Sequence, residues 1–464
     1  MTMPMPIGLQ KEVLALPTEG HYVVLGTAGS GKSTMAIYRA LFLSELNNKS
    51  KVLLVTFNKT LVKYLDEVSK SSLNNIDIVN YHKFARGYLN SVGKMGKNSI
   101  INSDLKRFYI TKSIENVKES KRFSLLLFRE SVDFYIEEIG TIQKTGINTL
   151  QEYVNWNSSA VTLAEKNLIF AIYDEYYNLR KGTNYKYDFE DIANYVLKEL
   201  TRDKRERMYK HIIIDEGQDL SPVMLKSLIE AADSKGSVTY FGDVAQKIYQ
   251  GDFTWRHGGL KNVKIWVFEQ NYRNTIEIAN LALQITKSPY YSDVADMVIP
   301  KSPIASGPLP VIVKCKKEEE LNFLLTTIIP LGESETVGIL VRNREQVKEI
   351  TTYLNEKFCS YKILKGDMNK WIEEPTIYVG TIHSAKGLEF DVVCLPFCEQ
   401  INYPYNENIN KYNSFELACK EDIKLLYVGV TRAKRGLIIS YSDNLTNLLP
   451  NNEHYKYSEV LYEQ

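Results

Sequence analysis

Two short stretches, far apart in the chain, carry residue types suited to triphosphate chemistry. The first is Gly26-Thr27-Ala28-Gly29-Ser30-Gly31-Lys32-Ser33-Thr34. Its glycines leave backbone N–H groups free to point inward around phosphate oxygens. Lys32 can reach the β- and γ-phosphates, and the Ser33 hydroxyl can take a coordination position on Mg2+. The second is Asp215-Glu216-Gly217-Gln218-Asp219. Two acids at the tip of an apolar run are costly unless a cation or a water network receives them. Asp215 would join the Mg2+ shell, and Glu216 would act as base for the attacking water. The pair predicts a chain that binds and hydrolyses ATP with Mg2+.

The elements around these residues support that chemistry. Tyr22–Leu25 reads as a buried strand and Thr34–Leu46 as a helix, so the glycine loop lies between strand and helix. A helix starting near Lys32 places its positive end at the phosphates. His211–Ile214 reads as a strand that ends directly in Asp215. Further strand-like runs occur at Lys51–Phe57, Asp77–Val79 and Ser237–Phe241. A second α/β unit begins near Asn274, with strands expected at Val311–Lys314, Val337–Val341, Thr376–Gly380, Val392–Leu395 and Gly436–Ser440. Residues 86–186 instead show helical periodicity, for example over Val117–Glu138 and Ala160–Leu179. The organisation expected is therefore α/β: 1–85 and 187–273 form one domain, 86–186 a helical insertion in it, and 274–464 a second domain.

Composition narrows the class. The 464 residues are enough for several domains, and 44% of them are apolar. The 57 basic and 56 acidic residues nearly cancel, which neither requires nor excludes a nucleic-acid partner. The insertion begins with a basic run, Lys94, Lys97, Lys106, Arg107, Lys112, Lys118, Lys121 and Arg122. It reads either as a solvated helix surface or as a nucleic-acid contact patch. Five scattered cysteines do not make a disulfide framework and read as free thiols in a reducing compartment. No secretory signal or membrane-length apolar run is present, so a cytoplasmic protein is expected.

With these motifs in order, the chain resembles the UvrD/Rep group of superfamily 1 helicases from about residue 9 to about residue 440. The resemblance implies two RecA-like P-loop NTPase domains. Gln10, 22 residues before Lys32, would read adenine. Gly26, Ala28, Gly29, Ser30, Gly31, Lys32, Ser33 and Thr34 match the nucleotide loop. Val55-Thr56-Phe57-Asn58-Lys59 looks like a motif that touches single-stranded nucleic acid through Phe57 and Asn58. His82 stands for the next such motif. Asp188-Phe189-Glu190-Asp191-Ile192 resembles the segment that returns the chain from the insertion. In Gly242–Tyr249, Gln246 would sense the γ-phosphate and Tyr249 would lie near a base. The family often has a tryptophan two residues later, where this chain has Gly251; Phe253 or Trp255 would supply that stacking surface. Tyr272 would stack on adenine and Arg273 would contact the γ-phosphate. In Val379–Phe390, Thr381, His383 and Ser384 would face the bound strand and Glu389 the nucleotide. Arg432 would be the arginine finger.

The resemblance implies an ATP-dependent helicase or translocase on single-stranded or tailed duplex DNA, moving 3′ to 5′. An RNA or RNA–DNA helicase, and a nucleic-acid-stimulated ATPase subunit, are the alternatives. Relatives carry a large second insertion before Val379, whereas only about 35 residues separate Arg342 from Val379 here. That compactness favours movement over unaided unwinding. It points to a separately encoded partner, a nuclease or another effector, in repair or in antiviral defence.

Overall fold

In the computed structural model, residues 5–462 are described except 28, 48, 57–74, 130, 157–160, 244–254, 262, 292–302, 304, 365–374, 413 and 451–456. Two wholly parallel sheets organise the chain. The first contains β1 (Gly20–Gly26), β2 (Val52–Val55), β3 (Ile76–Val79), β4 (Tyr209–Ile214), β5 (Ala232–Gly242) and β6 (Ile265–Phe268), in the order β3-β2-β4-β5-β1-β6. Its middle strands are apolar on both faces, as a parallel sheet covered on both sides requires. Alternation divides them. Val24, Leu54 and Ile213 pack with Met35, Ile37 and Leu43 of the helix Lys32–Leu46. Val23, Leu53 and Ile212 pack with Val196, Leu225 and Leu228 on the other face.

The second sheet contains β7 (Val311–Lys314), β8 (Thr336–Val341), β9 (Lys362–Ile363), β10 (Thr376–Thr381), β11 (Phe390–Leu395), β12 (Ala433–Tyr441) and β13 (Ser458–Leu461). Their order is β13-β7-β12-β11-β8-β10-β9. Two parallel α/β domains of this kind are the expected architecture. Every predicted strand has its observed counterpart, whereas β6, β9 and β13 were not anticipated.

The helical segment differs from expectation in one element. Val117–Glu138 is not one helix: Ser103–Glu119 ends there, a 3-10 turn occupies Leu125–Leu127, and Val132–Thr145 follows. These helices and Leu163–Lys181 enclose their own core, with Ile110, Phe134, Ile139, Leu168 and Ile172. Thr149 with Glu152, and Thr162 with Glu165, form capping boxes that fix two of the helix starts.

A buried ion cluster ties this segment to the turn at 188–191, where the chain returns to the first domain. Lys106 Nζ lies 3.1 Å from Asp188 and 2.8 Å from Glu190, and Arg180 pairs with Asp188 and Asp191. Burial alone would raise the Asp188 carboxyl; Lys106, hydrogen bonding from Glu190 and Arg180 outweigh it and hold it well below the usual range. Lys106 is thus a core residue, not part of a basic surface, and Arg107 is paired with Asp133. The five cysteines are free thiols. Among the described residues, no helix is long and apolar enough to cross a membrane.

Candidate functional site

The C-terminal ends of the first sheet's strands converge, which is where open α/β sheets hold ligands. β1 delivers the glycine loop, and β4 delivers Asp215. The hydroxyl of Ser33 donates to Asp215 Oδ1 at 3.1 Å, and Thr56 Oγ1 donates to Oδ2 at 3.3 Å. Lys32 is buried; its ammonium donates to the carbonyls of Gly26 at 2.9 Å and Thr27 at 2.6 Å, and lies 3.6 Å from Asp243. Burial and the adjacent Glu216 push the Asp215 carboxyl up to about 7 against the pull of Ser33 and Lys32. Burial would do the same to Glu216, but Lys32 and Lys386 hold it below its ordinary value. Glu216 takes a left-handed conformation (φ 52°), which turns the chain sharply at the strand tip.

The loop's glycines are demanded by approach as well as by dihedral angle. Gly29 has φ +73°, and a Cβ there would come within 2.4 Å of Arg273 Cβ. The Tyr272 N–H donates to Gly29 O at 3.0 Å, so the 271–273 segment lies directly on the loop. Gln10 Nε2 donates to Ser30 O at 3.2 Å. Tyr272 stays 50% exposed beside it. Thr34 stands in the first turn of the following helix.

The second domain meets this edge with the opposite ends of its strands. β11 and β12 are registered Phe390 with Ala433, which sets Glu389 and Arg432 side by side immediately before them. Arg432 is 1% exposed. Its Nε donates to Val428 O at 3.1 Å, and its other nitrogens reach Leu388 O at 3.4 Å and Thr431 Oγ1 at 3.3 Å. Burial and neighbouring Arg273 lower it to about 10, opposed by Glu216, Glu389 and Asp243. Among the described residues, several contacts cross between the domains. Arg273 pairs with Glu389, Lys386 pairs with Asp219, and Asn271 Nδ2 donates to Asn274 Oδ1 at 2.8 Å. Asn274 Nδ2 donates within the second domain to the carbonyls of Thr431, at 3.4 Å, and Ala433. The structure therefore brings together Lys32, Ser33, Asp215, Glu216, Arg273, Glu389 and Arg432, with Gln10 and Tyr272 at the rim.

Five further residues belong to this arrangement and were not singled out: Asn271, Asn274, Asp219, Asp243 and Lys386. All stood inside or beside recognised motifs, but nothing in their spacing reveals their partners. Asn271 Oδ1 accepts from the Arg273 N–H at 2.9 Å and so sets that arginine's backbone.

Among the expected nucleic-acid contacts, Trp255 is corrected. It is buried in the first domain's core with Leu260 and Leu225, beneath the Arg256 guanidinium at 4.1 Å, and offers no stacking face. Ala28, Phe57, Asn58, Gln246, Tyr249 and Phe253 lie outside the described residues. His82 is half-buried, with Nε2 3.1 Å from Phe189 O and its ring against the exposed Phe189. Burial lowers its pKa. Ser384 N donates to Thr381 Oγ1 at 3.2 Å and Ser384 Oγ to Thr381 O at 2.7 Å, so both hydroxyls shape the turn after β10. His383 stands between them, half-buried.

Family comparison agrees with this geometry. The UvrD/REP helicase N-terminal domain matches residues 8–266, and the UvrD-like helicase C-terminal domain matches 362–444. The chain belongs to the UvrD/Rep family of ATP-dependent helicases. It is 24% identical to a probable DNA helicase of Mycoplasma pneumoniae, covering 90% of this chain and 80% of that one. It is 23% identical to a probable DNA helicase II homolog of Mycoplasma capricolum, over 87% of this chain and 59% of the relative. The ATP-dependent DNA helicase Rep of Buchnera aphidicola is 21% identical over 74% of this helicase and 53% of its own length. This helicase thus spans between about half and four-fifths of the length of these relatives.

The site also fits the groups a helicase of this family uses. The Thr27 and Ser30 hydroxyl oxygens and Arg273 Nε are buried without a hydrogen-bond partner among the described residues, and all three border the glycine loop. Such donors suit phosphate oxygens. Ser33 and the buried Asp215, in hydrogen-bond contact, are hard oxygen ligands of the type Mg2+ takes beside substrate phosphates.

Proposed function

We propose that this helicase is a DNA motor that hydrolyses ATP to move 3′ to 5′ along a single strand. The observation that carries the reading is the closure of two domains over one glycine loop through Arg273–Glu389, Lys386–Asp219 and Asn271–Asn274. The domains are assigned as 1–85 with 187–273, the insertion 86–186, and 274–464. Lys32 holds the phosphates, and Glu216 orients the attacking water and takes its proton. Mg2+, held by Ser33 and Asp215, would neutralise charge on the β- and γ-oxygens. Arg273 and Arg432 meet the γ-phosphate from the far side, where a rigid fork of donors suits developing charge. Gln246 is assigned to γ-phosphate sensing. Phe57, Asn58, His82, Tyr249, Thr381, His383 and Ser384 are assigned to the strand.

Opening and closing of such a cleft with each turnover yields directional stepping when each domain grips the strand in turn. The compact stretch between Arg342 and Val379 supports translocation assisted by a separate partner. ATP turnover with single-stranded DNA, single-stranded RNA or neither, alongside displacement of 3′-tailed and 5′-tailed duplexes, tests the reading. Stimulation by DNA and displacement from the 3′ tail are expected. Stimulation by RNA alone would transfer the assignment to RNA, and displacement from the 5′ tail alone would reverse the polarity. Copurification of the chain from its host tests the nuclease or effector partner.

A further inference from the structure

The loop that breaks the expected long helix has an unusual surface. Leu126 is 96% exposed and Leu125 70% exposed, at the tip of the turn between helices Ser103–Glu119 and Val132–Thr145. These leucines are not loose. Leu127 N donates to Ser124 O at 3.1 Å and Phe128 N to Leu125 O at 3.2 Å. Phe123, Leu127 and Phe128 face inward against the helical core. The Lys118 ammonium lies 5.2 Å from the Phe128 ring and the Arg122 guanidinium 5.3 Å from the Phe123 ring, bracing the base of the loop. The chain enters the loop through Lys121 in a left-handed conformation, φ 54°. The loop is therefore pinned on its aromatic side and presents two leucines to solvent.

The flank that leads into it is cationic. Lys112, Lys118, Lys121 and Arg122 are exposed, and none is in an ion pair among the described residues; Asp174 feels the charge of Arg122. Only Glu115 and Glu119 oppose them on this stretch of helix. An apolar tip beside a run of such cations matches one ligand chemistry well: apolar side chains part a base step while the cations hold the adjacent phosphates. Single-stranded DNA offers phosphates but no paired step to part.

We propose that residues 121–128 contact duplex DNA next to the single strand, with Leu125 and Leu126 against a base step and Lys121 and Arg122 on the backbone. The inference rests on the DNA-motor reading above. It assigns a role to that part of the basic run which Lys106 and Arg107 leave available.

The test compares the wild type, L125D/L126D and K121A/R122A by fluorescence anisotropy on a 3′-tailed duplex and on the tail alone, at several salt concentrations. The four positions are exposed, and because Arg122 also braces Phe123, circular dichroism and thermal melting of K121A/R122A check that the variant keeps the fold. Tailed-duplex affinity is expected to fall about tenfold in each variant while tail affinity and tail-stimulated ATP turnover stay within about twofold. In K121A/R122A the slope of log affinity against log salt on the tailed duplex should shrink by about 2. A 2-aminopurine placed at the junction should brighten with the wild type and not with L125D/L126D. Unchanged tailed-duplex affinity in both variants would overturn the inference and leave the leucines to a protein or lipid partner. Equal losses on tail and duplex would overturn it too, by placing the loop on the single strand. Failure of the wild type to bind the tail would defeat the underlying DNA reading instead.

Discussion

The two α/β domains share a parallel sheet and face one cleft with opposite ends of it. The first domain offers the C-terminal ends of β1 and β4, where helices begin. Helix N-termini carry partial positive charge and free N–H groups, so this edge is made for an anion, and the helix Lys32–Leu46 starts at the glycine loop. The second domain offers the starts of β11 and β12. The helix Phe415–Val430 ends there, and its last turn presents carbonyls, one of which, Val428 O, accepts from Arg432. A helix C-terminus favours a cation. The same architecture thus suits phosphate on one side and holds arginine on the other because it is approached from opposite poles. The first wall is suited to binding the ground state, whereas the second is suited to charge that develops during transfer.

That division can be broken most directly by removing one member of each wall. Arg432→Ala should lower ATP turnover by about 10^3-fold or more while changing nucleotide affinity far less. Lys32→Ala should lower both. Steady-state turnover and binding of a fluorescent ATP analogue read the two quantities separately. Glu216→Gln should reduce turnover by about 10^2- to 10^4-fold with binding kept. Loss of binding in Arg432→Ala as large as its loss of turnover would show that both walls hold the ground state, and the comparison would fail.

A smaller effect sharpens the seam between the walls. Asn274→Ala removes the amide that accepts from Asn271 Nδ2 across the seam and donates to the Thr431 and Ala433 carbonyls behind it, leaving buried partners without it. A cost of about 1–3 kcal/mol is expected, and about a tenfold fall in turnover through weaker closure. Calorimetry should show the two domains melting further apart. A variant that loses stability without any change in turnover would mean that the seam is structural only.

The sequence was informative where chemistry is local. The glycine loop and the Asp215-Glu216 pair were legible because phosphate and Mg2+ binding demand those residue types within a few positions of a strand end. Both sheets were legible because parallel strands buried on two faces read as plain apolar runs. Lys106 was not legible: charge in a sequence does not say which side of a helix faces the core, and its partners lie 82 and 84 residues away at Asp188 and Glu190. Lys386 was hidden for the same reason, since Asp219 belongs to the other domain, and Asn274 because Thr431 and Ala433 lie 157 and 159 residues away. Trp255 was misread because an aromatic near a DNA motif is as suitable for a core as for a base. The short β9 and β13 carry too few buried residues to announce themselves.

The finest test of the comparison is acid–base, because each domain buries a titratable group beside its sheet, and the two have opposite habits. In the first, His211 on β4 pairs with Ser237 Oγ at 2.9 Å, and burial with Lys210 nearby lowers it to about 4. The unfolded chain binds that proton near pH 6.5, so the histidine's contribution is intact above 6.5 and is lost as pH falls toward 4. In the second, Glu320 accepts from Phe397 N at 3.0 Å and Ser440 Oγ at 2.6 Å, and burial beside Glu399 pushes it up to about 7. Its contribution is complete below about 4.5 and is lost as pH rises through 7. Loss of the His211 contribution should therefore weaken the first domain in acid and loss of the Glu320 contribution the second toward neutrality, each by about 1 kcal/mol or somewhat more. Asp215, also pushed up to about 7, gives the first domain a neutral limb that does not depend on His211. Hydrogen exchange resolved by domain, across pH 4 to 8, measures both at once. His211→Gln should flatten the acid limb in the first domain alone, and Glu320→Gln the rise toward neutrality in the second alone. If either variant flattens the profile of the other domain, the sheets titrate as one cooperative unit, and the two walls of the cleft are thermodynamically a single body.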